Sequence, residues 1–268
     1  MSKRVRHILS MSGGKDSTAL AVYMRDREPA MEYVFCDTKK ELQETYDYLD
    51  KVEAYLGKHI HRLNDERGFD HWLEVYGHYL PSPQMRWCTR QLKIRPFERF
   101  VGDDPVISYI GIRGDEHRDG YISSKPNITP RYPFKEDGIT ERDVYRILDE
   151  SGLGVPDYYK WRTRSGCYFC FFQRKAEWLG LHDNHPQLFR NAKAYEKTDP
   201  QTGRRFTWSQ SESLDELTSP ERAGEIRRRH LKVLQAEKTS RPDRPLIEVF
   251  AGALDHENDE EGCLICHL

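Results

Sequence analysis

The feature that most constrains the fold is residues 12–18, a glycine turn with the sequence S-G-G-K-D-S-T. Before it, Val5, Ile8 and Leu9 lie in an apolar run that is short enough for one buried strand. After it, apolar residues between Leu20 and Met24 recur at roughly helical spacing. The pattern therefore predicts a strand, a glycine turn and a helix.

The residue types in this turn suit the binding of phosphate. Gly13 and Gly14 have no Cβ, so they can adopt positive φ and allow backbone N–H groups to approach a ligand. The first N–H groups of the following helix point to the same place and favour an anion. Lys15 adds a positive charge, Asp16 is suited to hold Mg²⁺ among the phosphates, and the next two residues add hydroxyl groups or a helix cap. We interpret the turn as the site of the triphosphate of ATP.

The spacing of the turn differs from that of the two commonest nucleotide loops. It lacks G-x-x-x-x-G-K-[ST] and equally lacks G-x-G-x-x-G. The hexapeptide S-G-G-K-D-S instead resembles the pyrophosphate loop of the ATP pyrophosphatase superfamily, whose members cleave ATP between its α and β phosphates. A structural turn with coincidental glycines is the alternative, and the strand-to-helix context disfavours it.

Length and composition exclude several classes of protein. A chain of 268 residues is long enough for one substantial α/β domain plus an appendage. Its net charge of −2 gives no global basic field, so any nucleic-acid surface must be a local patch. No apolar run approaches membrane-spanning length and the N-terminus is not a signal peptide, so we expect a cytoplasmic protein with no membrane partner.

Further strand patterns alternate with helical patterns. Residues 31–36, 59–63 and 106–112 are apolar runs of strand length, and a helical face over residues 42–56 lies between the first two. This β-α-β-α-β order predicts a Rossmann-like open parallel sheet with right-handed crossovers and helices on both faces. We place this α/β domain at residues 1–160 and a mainly helical, Cys-containing region at 161–268.

The ends of these strands carry candidate site residues. Asp37 and Thr38 follow the second strand, and Gly111 and Arg113 lie at the end of the fourth, where open α/β sheets bind ligands. A guanidinium can grip phosphate oxygens bidentately, so Arg113 is a second candidate phosphate clamp. The predicted nucleotide-binding residues are Ser10, Ser12, Gly13, Gly14, Lys15, Asp16, Ser17, Thr18, Asp37, Thr38, Gly111 and Arg113, and the catalytic candidates among them are Lys15, Asp16 and Arg113.

The connecting segments show weaker patterns. Residues 68–78 are helical, and residues 86–97 form a basic helical pattern that we expect to end at Pro96 and to be solvated. A polar loop is predicted to run through Arg131. Thr140 is predicted to cap a helix with an apolar face.

Six cysteines include two C-x-x-C pairs, which in a reducing compartment indicate metal or redox chemistry. The first pair, Cys167 and Cys170, follows a glycine among aromatic residues, which favours a metal site over two small buried thiols. The second pair, Cys263 and Cys266, is balanced between a sulfur carrier, a metal or cluster ligand, and a disordered tail. A thiol of ordinary pKa, about 8.5, needs activation to act as a nucleophile, and His267 is a candidate activator.

Several motifs occur together and in order. They are the glycine turn, F-C-D-T, C-T-x-x-L-K-x-x-P, G-I-R-G-D-E, Y-P-F followed by T-E-x-D-V, and G-C-x-x-C. Over about residues 5–175 this set resembles the phosphoadenosine phosphosulfate (PAPS) reductase family of the adenine nucleotide alpha hydrolase superfamily. One branch of that family reduces sulfonucleotides. Another includes ATP pyrophosphatases of DNA phosphorothioation, which work beside a cysteine desulfurase.

The resemblance also implies a metal centre. Reductases with an iron-sulfur cluster bind it through a Cys-Cys pair and a later C-x-x-C, and this chain has Trp87-Cys88 at the first place. Cys88, Cys167 and Cys170 therefore match three of the four ligand positions. A substrate sulfur, an open iron, Cys36, Cys263 or Cys266 is left as the fourth ligand, and zinc is the alternative metal.

Two parts of the sequence bear on the choice of branch. The tail E-G-C-L-I-C-H-L matches the reductase tail E-C-G-[LI]-H only in part, whereas G-C-Y-F-C-F-F-Q-R-K resembles the phosphorothioation members. The expected function is cleavage of ATP to AMP and pyrophosphate, with Mg²⁺, to activate an acceptor for sulfur transfer, DNA above all. A sulfonucleotide reductase, a tRNA thiolation enzyme and a nucleic-acid-binding regulator remain as alternatives.

The implied partners are ATP, a sulfur donor such as a cysteine desulfurase, and DNA or other phosphorothioation proteins; a homodimer is left open. A basic patch interleaved with aromatic residues is the candidate surface for a nucleic-acid strand. Its predicted members are Arg86, Arg90, Lys93, Arg162 and Arg164.

Overall fold

The structure is a computed structural model that describes residues 4–116, 125–209 and 212–238. It divides into two compact units. In the described chain the first comprises residues 4–78 and 86–167, and the second comprises residues 79–85 and 168–238. Cys263, Cys266 and His267, which the sequence singles out, lie outside the described residues.

The first unit is built on a five-stranded sheet, which confirms the predicted parallel α/β fold. The strand order is β3-β2-β1-β4-β5, and every neighbouring pair is parallel. The strands are β1 (Arg6–Met11), β2 (Met31–Cys36), β3 (Ile60–Leu63), β4 (Val106–Tyr109) and β5 (Ile128–Arg131). The helices of this unit are α1 (Lys15–Met24), α2 (Gln43–Leu56), α3 (Gly68–Val75), α4 (Trp87–Thr89), α5 (Arg95–Val101), α6 (Pro133–Glu136) and α7 (Glu141–Glu150).

Both faces of the sheet are covered, because successive strand residues point to opposite sides. On one face, Leu9 of β1 belongs to a buried cluster with Leu20 of α1 and Val144 of α7. On the other face, the adjacent Ile8 belongs to a cluster that includes Phe97 of α5. The near-continuous apolar runs in the sequence reflect this burial on two sides.

Helix α2 ends at Leu56, where the predicted helical face of residues 42–56 also ends, and Gly57 caps it. This glycine has φ 63° and its N–H donates to the carbonyl of Glu53. A left-handed residue at this position satisfies a carbonyl at the helix end, and glycine adopts that conformation without a steric penalty.

Replacing Gly57 by alanine should therefore lower the free energy of unfolding by about 1–2 kcal/mol, because an L residue with a Cβ is strained at this φ. The space around an added Cβ is open, so packing adds nothing to the loss. Gly57→Asn should lose less, since asparagine tolerates the left-handed region. Urea unfolding of the two variants beside the wild type measures the difference, and equal stability of all three would contradict the assignment of this cap.

Two segments differ from their predictions. Residues 128–131, expected in a polar loop, form β5, a strand too short and too polar for its pattern to be seen. Pro130 is tolerated there because β5 is an edge strand among the described residues, paired with β4. The basic helix does not end at Pro96. A π-helical turn over Arg90–Ile94 joins α4 to α5, and Pro96 lies in the first turn of α5, where no intrahelical N–H bond is needed.

The helix after Thr140 forms as predicted. Thr140 and Asp143 make a reciprocal capping box at the start of α7, with the Thr140 N–H donating to Asp143 Oδ2 at 3.0 Å. Val144 and Leu148 of α7 are buried in the core. This cap fixes the N-terminal turn of α7, which carries Glu141.

The second unit is mainly helical. It contains α8 (Lys175–Asn184), α9 (Pro186–Lys193), a hairpin of β6 (Lys197–Thr198) and β7 (Arg205–Phe206), α10 (Leu214–Thr218) and α11 (Pro220–Lys238). Trp208 stacks on Phe169 with ring centroids 5.0 Å apart and donates its indole N–H to the carbonyl of Ala192. No helix in the described ranges combines the length and the apolar character needed to cross a membrane.

Candidate nucleotide site

The candidate site lies at the C-terminal end of β1, the central strand of the sheet. β1 has β2 on one side and β4 on the other, so the order of strands reverses on either side of it. Ligands of open α/β sheets bind in the crevice at such a point, outside the carboxyl ends of the strands. Residues 12–14 connect β1 to α1, and α1 begins at Lys15.

Packing requires both glycines of the turn, and backbone conformation requires the first of them, Gly13. Gly13 has φ +71°, and a Cβ there would lie 2.6 Å from Thr45 Cγ2 of α2. A Cβ on Gly14 would lie 2.7 Å from Ser165 Oγ. The turn is thus pressed between α2 and the segment that leads to Cys167.

The hydroxyl groups of the turn mainly brace it from within. The backbone N–H of Ser12 donates to Ser17 Oγ at 3.1 Å, and Ser17 Oγ donates to the carbonyl of Gly14 at 3.2 Å. Ser17 and Thr18 are fully buried, and Ser10 is buried within β1. The predicted roles of these three residues in nucleotide binding stay predictions, since their burial gives them a place in the framework of the loop.

The three catalytic candidates meet at one carboxylate. Lys15 Nζ lies 3.1 Å from Asp16 Oδ2, and Arg113 Nη1, which comes from the end of β4, lies 3.0 Å from Asp16 Oδ1. Lys15 also lies 3.1 Å from Glu141 Oε1, and Arg113 Nε lies 3.0 Å from Asp115 Oδ1. The structure therefore brings Lys15, Asp16 and Arg113 together, and their catalytic role stays a prediction.

Neighbouring carboxylates keep the guanidinium of Arg113 charged in this buried cluster. Lys15 and Asp16 are only 6% and 8% exposed. Burial alone would lower the pKa of Arg113, but the neighbouring Asp16 and Asp115 outweigh it and the pKa is raised. Arg113 is therefore cationic at every physiological pH, and its guanidinium lies with the Lys15 side chain beside Asp16, at the N-terminus of α1.

Gly111 allows the segment after β4 to pass close to the first turn of α1. A Cβ at Gly111 would lie 3.0 Å from the backbone carbonyl oxygen of Asp16. Only a residue without a side chain allows the chain after β4 to pass this close to the first turn of α1. The position of Arg113 depends on that approach.

Sequence reasoning missed two residues whose side chains form hydrogen bonds with the backbone of the turn. Tyr158 Oη donates to the carbonyl of Gly13 at 2.9 Å, and Tyr159 Oη accepts from the N–H of Lys15 at 3.0 Å. Burial raises the pKa of both tyrosines, so their hydroxyls stay protonated. Because these contacts join distant parts of the chain, the local pattern P-D-Y-Y gave no signal of them.

The residues after β2 form a second polar group. Asp37 Oδ1 accepts from the N–H of Lys39 at 2.7 Å and from Tyr46 Oη at 2.8 Å. Thr38 Oγ1 donates to Glu41 Oε1 at 2.6 Å and lies 3.1 Å from Cys167 Sγ. Thr38 is buried.

The predicted metal ligands do not form a metal site in the described part of the chain. Within residues 4–116, 125–209 and 212–238 no three His, Cys, Asp or Glu side chains are grouped so that they could hold a metal ion. Cys88, Cys167 and Cys170 are half-buried. Cys36 is a core residue beside Ile8, and burial raises the pKa of its thiol to about 12. The iron-sulfur or zinc centre therefore stays a prediction from the resemblance.

The structure corrects the predicted nucleic-acid patch in two places. Arg162 is 1% exposed and donates to the carbonyls of Gly166 and Cys167, so it fastens the loop that carries Cys167. Lys93 is also buried, because its helical segment packs against the sheet. The sequence pattern does not distinguish these inward charges from outward ones. Arg90 is exposed, and Arg86 and Arg164 are half-buried.

Comparison with known proteins finds a match over part of the first unit. Residues 6–129 match the phosphoadenosine phosphosulfate reductase domain. Among curated proteins, an uncharacterized protein of Methanocaldococcus jannaschii is 28% identical over 201 residues, which cover 68% of this chain and 39% of that protein. An adenosine 5′-phosphosulfate reductase of Staphylococcus haemolyticus is 27% identical over 111 residues, 41% of this chain and 45% of that protein. The chain thus spans less than half the length of these two relatives.

A solved structure also resembles this chain. The phosphoadenylyl-sulfate reductase of Candida auris, determined as a phosphate complex, aligns over 61% of this chain and 82% of that one. The TM-score is 0.49 and the sequence identity is 15%.

Proposed function

We propose that this chain, whose residues 6–129 match the phosphoadenosine phosphosulfate reductase domain, cleaves ATP to AMP and pyrophosphate and thereby activates an acceptor for sulfur transfer. The observation that carries the proposal is the convergence of Lys15 and Arg113 on Asp16 at the N-terminus of α1. Cleavage between the α and β phosphates leaves negative charge on pyrophosphate. Two fixed cations and a helix N-terminus are the groups that stabilise such charge.

The ion pairs of Lys15 and Arg113 hold these two side chains where the phosphates of ATP would bind. Lys15 is held by Asp16 and Glu141, and a triphosphate would offer it stronger acceptors in the same place. Glu141 is half-exposed, so it can turn to solvent when Lys15 changes partner. Arg113 presents a planar guanidinium that can hold two phosphate oxygens at once.

Mg²⁺ fits this site through Asp16. In nucleotide sites the ion takes one or two carboxylates and completes its shell with substrate phosphates and water, so a single buried carboxylate beside the loop suffices. When bound, it would neutralise charge on the phosphates. By contrast, the described residues hold no three-ligand group for iron-sulfur or zinc, so such a centre stays a prediction from the resemblance.

The acceptor we propose is a phosphate oxygen of DNA. Attack of that oxygen on the α-phosphorus forms an acceptor–adenylate and releases pyrophosphate. Attack of hydrosulfide on the acceptor phosphorus then forms the P–S bond and releases AMP. If the donor is a protein persulfide, its S–S bond must be cleaved by a second thiol, which leaves as part of a disulfide. The support is the resemblance of G-C-Y-F-C-F-F-Q-R-K to phosphorothioation members, whose sulfur comes from a cysteine desulfurase. A tRNA acceptor would use the same adenylation.

The decisive experiment is to incubate anaerobically purified protein with Mg²⁺ and α-labelled ATP and to separate AMP from ADP. We expect AMP and pyrophosphate from the wild type. Asp16→Asn should lose activity by about 10²-fold or more, since it removes the charge that organises both cations. Asp157→Asn, an exposed aspartate paired only with Lys160 in a surface turn, is the matched control and should retain activity. ADP as the product, or no turnover by the wild type with or without DNA, would overturn the proposal.

A sulfonucleotide reductase is the second candidate, favoured by the domain match itself. Its catalytic thiol would be Cys263 or Cys266, in the part of the chain outside the described residues. Release of sulfite from PAPS or adenosine phosphosulfate in the presence of a thiol reductant, with no AMP formed from ATP, would establish it in place of the first proposal.

A further inference from the structure

One buried carboxylate of the first unit has no role in the reaction described above. Glu41 lies between β2 and α2 and is 8% exposed. Its Oε1 accepts from Thr38 Oγ1 at 2.6 Å and from Cys167 Sγ at 3.6 Å. Its Oε2 is buried and has no hydrogen-bond partner among the residues that the structure describes. A carboxylate oxygen in that condition is unfavourable unless a ligand supplies a donor.

Contacts on two sides place Glu41 next to the phosphate turn. Met11 of β1 pairs with Phe35 of β2, so the segments that follow the two strands leave the sheet at the same edge. Thr45, in the first turn of α2, packs on Gly13. On the other side Ser165 Oγ donates to Ser12 Oγ at 3.0 Å, and Cys167 of the same loop contacts Glu41.

An ionised carboxylate accepts hydrogen bonds and donates none, so its partner must be a donor. The groups of ATP that donate are the ribose hydroxyls and the adenine amine. In nucleotide-binding α/β folds an acidic residue beyond a strand's carboxyl end binds ribose hydroxyls. Thr38 fixes Oε1, which leaves Oε2 for the sugar.

We propose that Glu41 binds the ribose hydroxyls of the nucleotide whose phosphates rest on residues 12–18, so that the chain selects ribonucleotides over deoxyribonucleotides. This inference rests on the proposed function for the location of the nucleotide. The same carboxylate repels a phosphate on the 3′-oxygen, so it favours ATP over nucleotides such as PAPS that carry one.

The test measures nucleotide binding separately from turnover. Dissociation constants for ATP, 2′-dATP, 3′-dATP and ITP are determined by equilibrium dialysis at low temperature, with AMP followed in the same samples. Wild type should bind ATP roughly tenfold or more tightly than at least one of the deoxy forms, as expected for a hydrogen bond to a charged group. ITP, which lacks the adenine amine, should bind with the same ribose dependence.

Glu41→Gln should reduce ATP binding to the level of that deoxynucleotide and change deoxynucleotide binding by less than about threefold. Glu41→Asp, which keeps the charge but shortens the reach, should fall between. Glu66→Gln, at an exposed glutamate after β3, is the matched control and should match wild type. Thermal unfolding of each variant checks that it folds.

Four results would overturn the inference. The first is that the wild type binds ATP and both deoxynucleotides with equal affinity, and the second is that Glu41→Gln loses the same affinity for all three. The third is that Glu41→Gln loses affinity for ATP but not for ITP. The fourth is that the loss of affinity appears only with Mg²⁺ and is the same for every nucleotide. Ribose discrimination that depends on Glu41, in a protein that forms no AMP, would support the inference and reject the proposed function alone.

Discussion

Replacing Lys15 by alanine is expected to slow AMP formation from ATP by about 10²- to 10³-fold, the loss typical when one fixed charge-stabilising group is removed from a transition state. Lys15 is 6% exposed and its ammonium is held at 3.1 Å by both Asp16 and Glu141, so its position is set before the nucleotide arrives. Asp16 keeps Arg113 as a partner in the variant, which limits the effect on folding. The measurement is the rate of AMP formation from α-labelled ATP under saturating nucleotide.

The control separates the phosphate role of Lys15 from its ion pair. Glu141→Gln removes the ion pair between Lys15 and Glu141 but leaves the ammonium group of Lys15 in place. This variant should therefore keep most of the wild-type rate. A parallel fall in both variants would mean that the pair, and not the cation at the phosphates, matters for turnover. An unchanged rate of AMP formation in Lys15→Ala would contradict the assignment of residues 12–18 as the phosphate site of this reaction.

Gly14→Ala should have the second large effect, on nucleotide binding and on stability together. Gly14 has φ −103°, which any residue adopts, so the backbone is not strained by the change. The added Cβ would lie 2.7 Å from Ser165 Oγ, 3.0 Å from Ser165 Cβ and 3.1 Å from Tyr159 Oη. Ser165 is buried and cannot retreat, so the turn must shift, at a cost of about 1–3 kcal/mol. We expect weaker ATP binding by dialysis and a lower midpoint in urea.

A second substitution tests whether this contact is the cause. Gly14→Ala combined with Ser165→Gly removes the two nearest atoms and should recover a large part of the lost stability. Gly224→Ala, in α11, adds the same methyl group where only the end of the Arg228 side chain is near, at 3.4 Å, and should be neutral or slightly stabilising. Failure of the double variant to recover any stability would show that the packing of residues 12–18 on Ser165 is not what Gly14 protects.

The sequence was most informative where local pattern and burial coincide. Strands β1 and β2, helix α2 with its stop at Gly57, and the capped start of α7 follow from apolar runs, a glycine and a capping box, each of which acts within a few residues. The grouping of Lys15, Asp16 and Arg113 followed from one further rule, that the carboxyl ends of parallel strands meet at one edge.

The remaining features depend on contacts between distant segments. Nothing near Tyr158 or Ser165 in the sequence indicates that their hydroxyls form hydrogen bonds with the turn at residues 12–18. Their partners are 145 and 153 residues away in the sequence. Arg162 looks like a solvent-facing arginine until its carbonyl acceptors are known. Glu41 lies in a charged stretch, K-K-E, where a solvated side chain is the ordinary expectation.

The short strand β5 also bears on how copies of this chain meet. The carbonyls of Asn127 and Arg131 accept hydrogen bonds from the N–H groups of Val106 and Ile110. The backbone groups of the odd-numbered residues of β5 therefore point toward β4, and those of Pro130 point away from it. In the described part of the sheet, the outer edge of β5 therefore lacks an amide donor at Pro130, and a strand from another molecule cannot form a continuous hydrogen-bond ladder with it. On this side, Pro130 protects the chain against edge-to-edge aggregation.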